Sequence, residues 1–220
     1  MKILALTDIH GAYGIATEII RRESPDVVII GGDLTTVGSI KEAEQAVQSF
    51  KNLSEYVMCV AGNMDLPQHD DLFVRLNASI NGRGVIINSV GFFGVSGAPH
   101  SHLHTPYEIS EEEIFQRSLS GYKEVKNCAR TIFVPHAPPY GTRLDIIHTG
   151  IHVGSTAIRE FVEDAQPTVV VCGHIHEARG QDQINNSLIV NCGMASRGYF
   201  SIIDMQQGVN ITLKQVYTTS

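Results

Sequence analysis

The sequence predicts an α/β fold, because short apolar segments alternate along the chain with amphipathic segments of helical period. The apolar segments are continuous and rich in Val and Ile, as in 27–30 and 168–172, which is typical of strands covered on both faces. A length of 220 residues fits one domain, and no linker, repeat or low-complexity tract divides the chain. We therefore predict a single domain over residues 1–220.

Eight segments have strand character: 2–7, 27–30, 56–61, 85–87, 92–95, 131–134, 168–172 and 188–190. Near the carboxyl terminus the pattern changes. Val209, Ile211 and Leu213 alternate with polar residues, as in an antiparallel strand with one exposed face. Residues 200–204 are its predicted hairpin partner, with a turn around Gly208.

Four helices are predicted between the strands. A short helix covers residues 14–22. Ser39 and Ser110 each precede a Glu by three positions, which is the capping-box pattern, and the helix after Ser110 is expected to reach about Asn127. Ser155 is the predicted cap of the fourth helix, and Pro167 lies just beyond its end.

Charge and composition restrict the classes of partner. The formal net charge of -7 disfavours binding to long nucleic acids. The cysteines at 59, 128, 172 and 192 are far apart in the chain, so we expect neither a disulfide framework nor a zinc knuckle. The first apolar segment is too short for a signal peptide, and no segment approaches the roughly 18 apolar residues of a membrane span. We predict a cytoplasmic protein without membrane contact.

Side chains of the types that commonly bind metal ions directly follow five of the predicted strands. They are Asp8, His10, Asp33, Asn63, His136, His174 and His176. Taken singly, each has an ordinary explanation as a turn or solvated-loop residue. Together they occur in order, each after an apolar strand, and ligand sites in open α/β sheets lie at the carboxyl ends of strands. The set therefore predicts a metal site at one sheet edge.

The spacing within the motifs suggests how the ligands are presented. In an extended segment, residues i and i+2 point to the same side, so Asp8-Ile9-His10 and His174-Ile175-His176 could each grip an ion with a pair of side chains. A Gly precedes Asp33, Asn63 and His174, which permits a tight turn or close backbone approach. An Asp can bridge two cations with its two carboxylate oxygens.

The ordered set Asp8-Ile9-His10, Gly32-Asp33, Gly62-Asn63, His136 and Gly173-His174-Ile175-His176 resembles the motifs of the calcineurin-like metallophosphoesterases. Residues 136–142, 152–155 and 173–178 look like the Icc-related group of small prokaryotic phosphoesterases. The resemblance implies a four-layer α/β/β/α sandwich with two metal ions where the two sheets meet. It implies one ion held by Asp8, His10, Asp33 and His176, and a second held by Asp33, Asn63, His136 and His174.

Two metal ions imply hydrolysis of a phosphate ester by a metal-bridging hydroxide, without a protein nucleophile. Mixed His, Asp and Asn ligands accept Mn²⁺, Fe, Co²⁺, Ni²⁺ or Zn²⁺, and we favour Mn²⁺. The predicted substrate is a small phosphodiester or nucleotide.

Met64 departs from the family pattern, which has His at this place as a general acid or as a stabiliser of the leaving oxygen. Met cannot donate a proton, and general acid catalysis contributes roughly 10²–10⁴-fold. The departure predicts a preference for phosphodiesters or activated aryl esters over alkyl monoesters. His152 is the candidate replacement, because it lies near Ser155 at a predicted helix N-terminus, a natural anion site.

Two long segments, 96–110 and 137–154, are rich in His, Gly and Pro, and loops of this length are usually functional or mobile. His100, His102, His104 and His148 lie in them and are solvated-loop residues or substrate neighbours; a third metal site at 100–104 has little support. We expect Asp65 to form a turn or to support the ligands. Asp145 and Arg143 could contact the substrate, but we favour surface positions for both.

The alternative to an enzyme is a non-catalytic scaffold or binding protein of the same fold. Such scaffolds tend to lack some of the metal-binding side chains, whereas all seven are present here, which favours the enzyme. A nuclease is a third possibility. Nucleases of this family usually have basic surfaces and additional DNA-binding parts, and a chain of 220 residues with a net charge of -7 offers neither. The phosphoprotein phosphatases of the superfamily have an Arg after the Gly-Asp motif, whereas Leu34, Thr35 and Thr36 follow here. The expected partner is a small phosphate ester. The sequence leaves open whether the protein forms a homodimer.

Overall fold

The computed structural model describes residues 1–217, in which thirteen strands and five α-helices occur. The strands are β1 (Lys2–Leu6), β2 (Val27–Gly31), β3 (Tyr56–Val60), β4 (Gly84–Ile87), β5 (Val90–Val95), β6 (Ala98–Pro99), β7 (Glu108–Ile109), β8 (Arg130–Pro135), β9 (Val169–Cys172), β10 (Gly180–Ile184), β11 (Ser187–Asn191), β12 (Tyr199–Asp204) and β13 (Asn210–Gln215). The helices are α1 (Tyr13–Glu23), α2 (Ile40–Lys51), α3 (Gln68–Arg75), α4 (Glu111–Val125) and α5 (Thr156–Ala165).

The strands form two large sheets with parallel centres, and the edge strands β4, β10 and β13 are antiparallel to their neighbours, whereas the edge strand β3 is parallel. The first has the order β13-β12-β1-β2-β3, and the second has the order β10-β11-β9-β8-β5-β4. In the first sheet β1, β2 and β3 run parallel, and in the second β5, β8, β9 and β11 do. The predicted hairpin is present as β12 and β13, which pair antiparallel with Ile203 opposite Ile211.

Alternate side chains of each central strand face different layers. Val27 and Ile29 of β2 belong to a buried cluster between the sheets, together with residues of the second sheet such as Ile132 and Val171. The intervening Val28 and Ile30 pack in the cluster that contains helical side chains such as Val47. Because both faces of the central strands are covered, continuous apolar segments are required. The fold is a four-layer α/β/β/α sandwich, which confirms the prediction.

The predicted helix caps are present. The hydroxyls of Ser39, Ser110 and Ser155 accept hydrogen bonds from the backbone N–H groups of Glu42, Glu113 and Ile158, at 3.2, 3.1 and 3.1 Å. Such caps satisfy N–H groups that the first helical turn leaves without partners. The α4 helix ends at Val125, slightly before the predicted limit.

Three parts of the fold were not predicted. Helix α3 is short, with only His69, Leu72 and Phe73 buried, so its apolar period is weak. Strand β10 is a polar edge strand of sequence GQDQI, and an edge strand needs little apolar character. Segment 96–110 contains the two-residue pair β6–β7. The strands β10 and β6 are defined by pairing with β11 and β7, and not by an apolar pattern of their own.

The four cysteines all lie within the described residues, and none of them is in a disulfide. Cys59, Cys128, Cys172 and Cys192 are free thiols, and three of them are buried. None of the helices in residues 1–217 has both the length and the apolar character needed to cross a bilayer.

Candidate metal centre

Both sheets deliver side chains to the same edge of the sandwich. Asp8 and His10 follow β1, Asp33 follows β2, and Asn63 follows β3. From the second sheet, His136 follows β8, and His174 and His176 follow β9. Because these strands are parallel within each sheet, their carboxyl ends meet at one edge. The structure therefore brings all seven predicted side chains into one region.

Asp8, His10 and His176 form one side of this region. The Oδ1 atom of Asp8 lies 3.3 Å from Nε2 of His176, and Nε2 of His176 lies 3.4 Å from Nε2 of His10. Asp8 is fully buried. These side chains provide potential ligand atoms that all lie within 4.8 Å of one another.

One carboxylate oxygen of Asp33 lies between this side and the opposite side of the region, which contains His136. Its Oδ2 atom is 3.7 Å from Nε2 of His10 and 3.5 Å from Nε2 of His136. Its Oδ1 atom accepts a hydrogen bond from the backbone N–H of Met64, at 2.8 Å. The Oδ2 atom thus faces histidines on both sides, and the use of both Asp33 oxygens to bridge two ions stays a prediction.

Asn63, His136 and His174 form the other side. The Oδ1 atom of Asn63 lies 3.0 Å from Nε2 of His136 and 2.8 Å from Nδ1 of His174. A second group of potential ligand atoms within 4.8 Å consists of Asp8, Asp33 and His136. The two groups share Asp8. Asp33 belongs only to the second group, but its Oδ2 atom also lies near Nε2 of His10. The division of the seven side chains between two ions stays a prediction.

The backbone at the ligands is not extended, and the expectation for Asp8-Ile9-His10 and for His174-Ile175-His176 was wrong in this respect. Asp8, His10, Asp33 and His174 have φ values of 55°, 47°, 50° and 67°, in the left-handed region. Asp and His tolerate this region better than most residues. The N–H groups of Asp8 and His10 donate to the carbonyls of Gly32 and Asp33, at 3.0 and 2.9 Å. Paired turns, not extended strands, therefore present these ligands.

Two groups that orient histidines were missed in the sequence. Nδ1 of His136 is 2.9 Å from the carbonyl oxygen of Gly31, and Nδ1 of His10 is 2.8 Å from Oγ1 of Thr36. A partner at one ring nitrogen fixes the ring and leaves the other available to a metal. In both residues the second nitrogen, Nε2, faces Asp33. The position of Thr36 shortly after Asp33 was the available signal.

Asp65 connects two ligand turns, as the sequence suggested. Its buried carboxylate accepts hydrogen bonds from the N–H groups of Gly62, Leu34 and Thr35, at 2.9, 3.1 and 2.8 Å. Thr35 also donates its hydroxyl to this carboxylate, at 2.8 Å. Burial and the nearby charge of Asp33 raise the pKa of Asp65. The turns that carry Asp33 and Asn63 are thereby held together.

The charges of the site favour a cation. Burial alone would lower the pKa of His136, but the charges of Asp33 and Asp8 raise it to about 9. Burial and the charge of His136 lower the pKa of His174 to about 4. Burial acts to raise the pKa of Asp8, but the hydrogen bond with His176 and the charge of His136 hold it below its usual range. Two buried carboxylates among imidazole and amide groups fit divalent metal ions.

The environment of His152 differs from the expectation. The N-terminus of α5 already holds an anion, because Glu111 accepts hydrogen bonds from the N–H groups of Thr156 and Ala157, at 3.0 and 3.1 Å. This helix end is therefore not a free phosphate site. Instead, Nδ1 of His152 lies 2.7 Å from Oδ1 of Asp145.

Asp145 is fully buried, so its predicted surface position was wrong. It accepts hydrogen bonds from the N–H groups of Gly141, Thr142 and Gly154, at 3.1, 3.0 and 3.0 Å. These bonds hold residues near the start of segment 137–154 against its last residue. Arg143 is on the surface as predicted and pairs with Asp182.

Within residues 1–217, neither group of potential metal ligands includes the histidines at 100, 102 and 104. Segment 96–110 is organised by Glu108, which accepts hydrogen bonds from the N–H groups of Ser101 and Thr105, at 3.0 and 2.9 Å. Burial would raise the pKa of Glu108, but these hydrogen bonds lower it to about 2.

Residues 1–178 match the model of the family described as calcineurin-like phosphoesterase. The chain belongs to this family. The match covers every strand end that carries a candidate ligand. The predicted family is thus confirmed, and a phosphoesterase is a hydrolase.

Two relatives of this calcineurin-like phosphoesterase come from Methanocaldococcus jannaschii and Caenorhabditis elegans. It is 35% identical over 197 residues to the uncharacterized protein MJ1162 of Methanocaldococcus jannaschii, and the match covers 87% of each chain. It is 25% identical over 218 residues to the UPF0046 protein K07C11.7 of Caenorhabditis elegans, which covers 90% of this chain and 71% of the relative.

Solved structures show the same fold. TT1561 of Thermus thermophilus has a TM-score of 0.74 at 18% identity, with 97% of this chain and 98% of that chain covered. A dimetal phosphatase from Danio rerio has a TM-score of 0.63 at 12% identity, with 99% and 97% covered. At these identities the likeness concerns the fold. Divalent metal binding is usual in the family, and this phosphoesterase has candidate ligand groups for it.

Proposed function

We propose that the protein is a phosphodiesterase that uses two divalent metal ions and acts on a small phosphodiester or nucleotide. The observation that carries the proposal is the convergence of seven potential ligand side chains from both sheets beside Met64. Asp8, His10, Asp33 and His176 would hold one ion, and His136, His174 and Asn63 would hold the other with Asp33. Mn²⁺ is the favoured metal.

When bound, the two ions would supply a hydroxide nucleophile near neutral pH and offset charge on the phosphoryl oxygens. The chain itself fixes the geometry of the ligands. The Gly31 carbonyl and the Thr36 hydroxyl orient His136 and His10. Asp65 holds the turns of Asp33 and Asn63 together. Such preorganisation lowers the barrier because little reorganisation accompanies the reaction.

Met64 determines the preferred ester class in this proposal. Its side chain supplies neither a proton nor a positive charge, and the Arg that follows the Gly-Asp motif in phosphoprotein phosphatases is absent. A phosphomonoester carries one more negative charge than a diester at neutral pH. The site therefore has fewer cationic groups for a monoester dianion, and diesters are favoured.

With Mn²⁺ added, we expect kcat/KM for bis-p-nitrophenyl phosphate to exceed that for p-nitrophenyl phosphate by about tenfold or more, since one charged contact contributes about 1.5–3 kcal/mol. Steady-state release of p-nitrophenol measures both. Met64→His restores a side chain that can carry positive charge toward the monoester dianion, so it is expected to raise monoester turnover and to narrow the ratio.

Wild-type protein that prefers the monoester by a large factor would contradict the diester proposal. Protein that binds two equivalents of metal but cleaves no activated ester would instead indicate the non-catalytic alternative. A chelator provides the control, because it should abolish turnover of both esters while leaving the far-ultraviolet circular dichroism unchanged.

His152 is proposed to assist the leaving group. Asp145 fixes its Nδ1 atom, which leaves Nε2 for a substrate, and the side chain is 36% exposed. Segment 137–154 starts directly after His136 and contacts the residue after His176, because the N–H of His148 donates to Glu177 at 3.2 Å. An imidazole held by a buried carboxylate has the arrangement that general acid catalysis uses.

His152→Gln is expected to lower kcat about 10²-fold for a diester with an alkoxide leaving group and to change little for bis-p-nitrophenyl phosphate. The difference arises because nitrophenolate leaves without a proton. Turnover of both esters and their pH profiles measure this effect. His148→Gln is the matched control, since His148 is on the same segment but strongly exposed. An equal loss on both esters would assign His152 a structural role.

The cytoplasmic location, the small phosphate-ester partner and the homodimer stay predictions.

A further inference from the structure

Val37 has a backbone conformation that a β-branched residue rarely adopts. Its φ is 53°, in the left-handed region, and its side chain is 56% exposed. For Val this is an outlier, whereas Gly adopts such a conformation without steric cost. Strain of this kind persists where surrounding contacts enforce it, and it is concentrated at functional sites. The left-handed conformation of Val37 is therefore a cost to folding stability that its surrounding contacts must offset.

The contacts that enforce this conformation belong to the metal centre. The N–H of Val37 donates to the carbonyl oxygen of Met64, at 2.8 Å. Met64 in turn donates its N–H to Oδ1 of Asp33, at 2.8 Å. The preceding residue, Thr36, contacts Nδ1 of His10. Val37 is thus connected through its neighbours to Asp33 and His10 of the candidate site.

Val37 and the partly buried Met64 are apolar residues whose backbones meet next to Asp33, and they are here called the rim pair. We propose that the rim pair contacts the organic group on phosphorus and selects substrates in which this group is aromatic or otherwise apolar. The inference rests on the proposed function and specifies its substrate class: aryl-bearing or base-bearing phosphate esters in preference to small alkyl esters.

Binding of phosphonates to the Mn²⁺-loaded protein tests the rim pair without catalysis. Phenylphosphonate and methylphosphonate present similar anionic groups but differ in apolar area. By isothermal titration calorimetry, we expect phenylphosphonate to bind about tenfold more tightly, which corresponds to about 1.4 kcal/mol. In Val37→Gly this preference should fall to about twofold or less, with methylphosphonate affinity unchanged.

Two further variants separate the apolar contact from effects on the backbone. Val37→Asn tolerates the left-handed conformation but is polar, so it should also lose the phenyl preference. Val37→Met keeps an apolar side chain and should retain the preference. Ile86→Ala is the control, because Ile86 is a similarly exposed aliphatic residue on β4, and both affinities should stay at the wild-type values. Thermal melting confirms that each variant is folded.

Equal affinity of the wild-type protein for the two phosphonates would overturn the inference, as would a Val37→Gly variant that keeps the phenyl preference. Neither result would affect the proposed diesterase activity, which is measured separately by turnover. Failure of the loaded protein to bind methylphosphonate or to cleave any ester would instead contradict the proposed function itself.

Discussion

Asp33→Asn is expected to lower diesterase turnover about 10³-fold and to reduce the bound metal, because the metal pair supplies several kcal/mol of transition-state stabilisation and each 1.36 kcal/mol is tenfold. The Oδ2 atom of Asp33 faces His10 and His136, on opposite sides of the site. An amide removes the negative charge there. Elemental analysis and turnover of bis-p-nitrophenyl phosphate measure the two effects.

Asp71→Asn is the matched control for this change. Asp71 is an exposed residue in the first turn of α3, so its loss should alter neither metal content nor turnover. If Asp33→Asn retained two equivalents of metal and wild-type turnover, Asp33 would not be the shared ligand. Asp8, which belongs to both groups of potential ligands, would then be the candidate for that role.

Gly62→Ala is expected to destabilise the protein by about 3 kcal/mol, which lowers Tm by about 6–12 °C, and to reduce turnover about 10²-fold. A Cβ atom at Gly62 would lie 2.1 Å from Oδ1 and 2.3 Å from the backbone N of Asp33. Because both are atoms of a buried, hydrogen-bonded residue, the overlap must displace the Asp33 carboxylate. Calorimetric melting and steady-state turnover measure the two effects.

Gly14→Ala provides the comparison for the glycine change. Gly14 lies in α1, and a Cβ atom there would meet nothing within 4 Å. Ala is the better helix former by up to about 1 kcal/mol, so this variant should be as stable as the wild type or more so, with normal turnover. Gly62→Ala with wild-type melting and turnover would show that the turn absorbs the overlap.

The central strands were predictable because their physical requirement is local. Each must be apolar on both faces, and segments such as 27–30 and 168–172 show this directly. The same holds for helices that begin at Ser39, Ser110 and Ser155, whose caps are formed within four residues. Strand β10 was missed because it contributes few apolar side chains and is defined by pairing with β11.

The candidate site was predictable in composition but not in geometry. The order of the ligand residues, each following a strand, indicated one sheet edge, and the structure brings them together there. The extended geometry expected for Asp8 and His10 was wrong, because pairing with the chain after β2 imposes left-handed turns. The expected anion site beside His152 was also wrong, because Glu111, from a distant part of the chain, occupies the N-terminus of α5. Asp145 instead orients the imidazole of His152.

The sequence by itself determined the fold class, the family and the set of potential ligands, because side-chain type and period are properties of short segments. Only the tertiary structure decided that Oδ2 of Asp33 faces both sides, that Asp145 is buried, and that Val37 is held beside Met64. These facts depend on how two sheets and their connecting turns pack, and distances between groups far apart in the chain are fixed only by that packing.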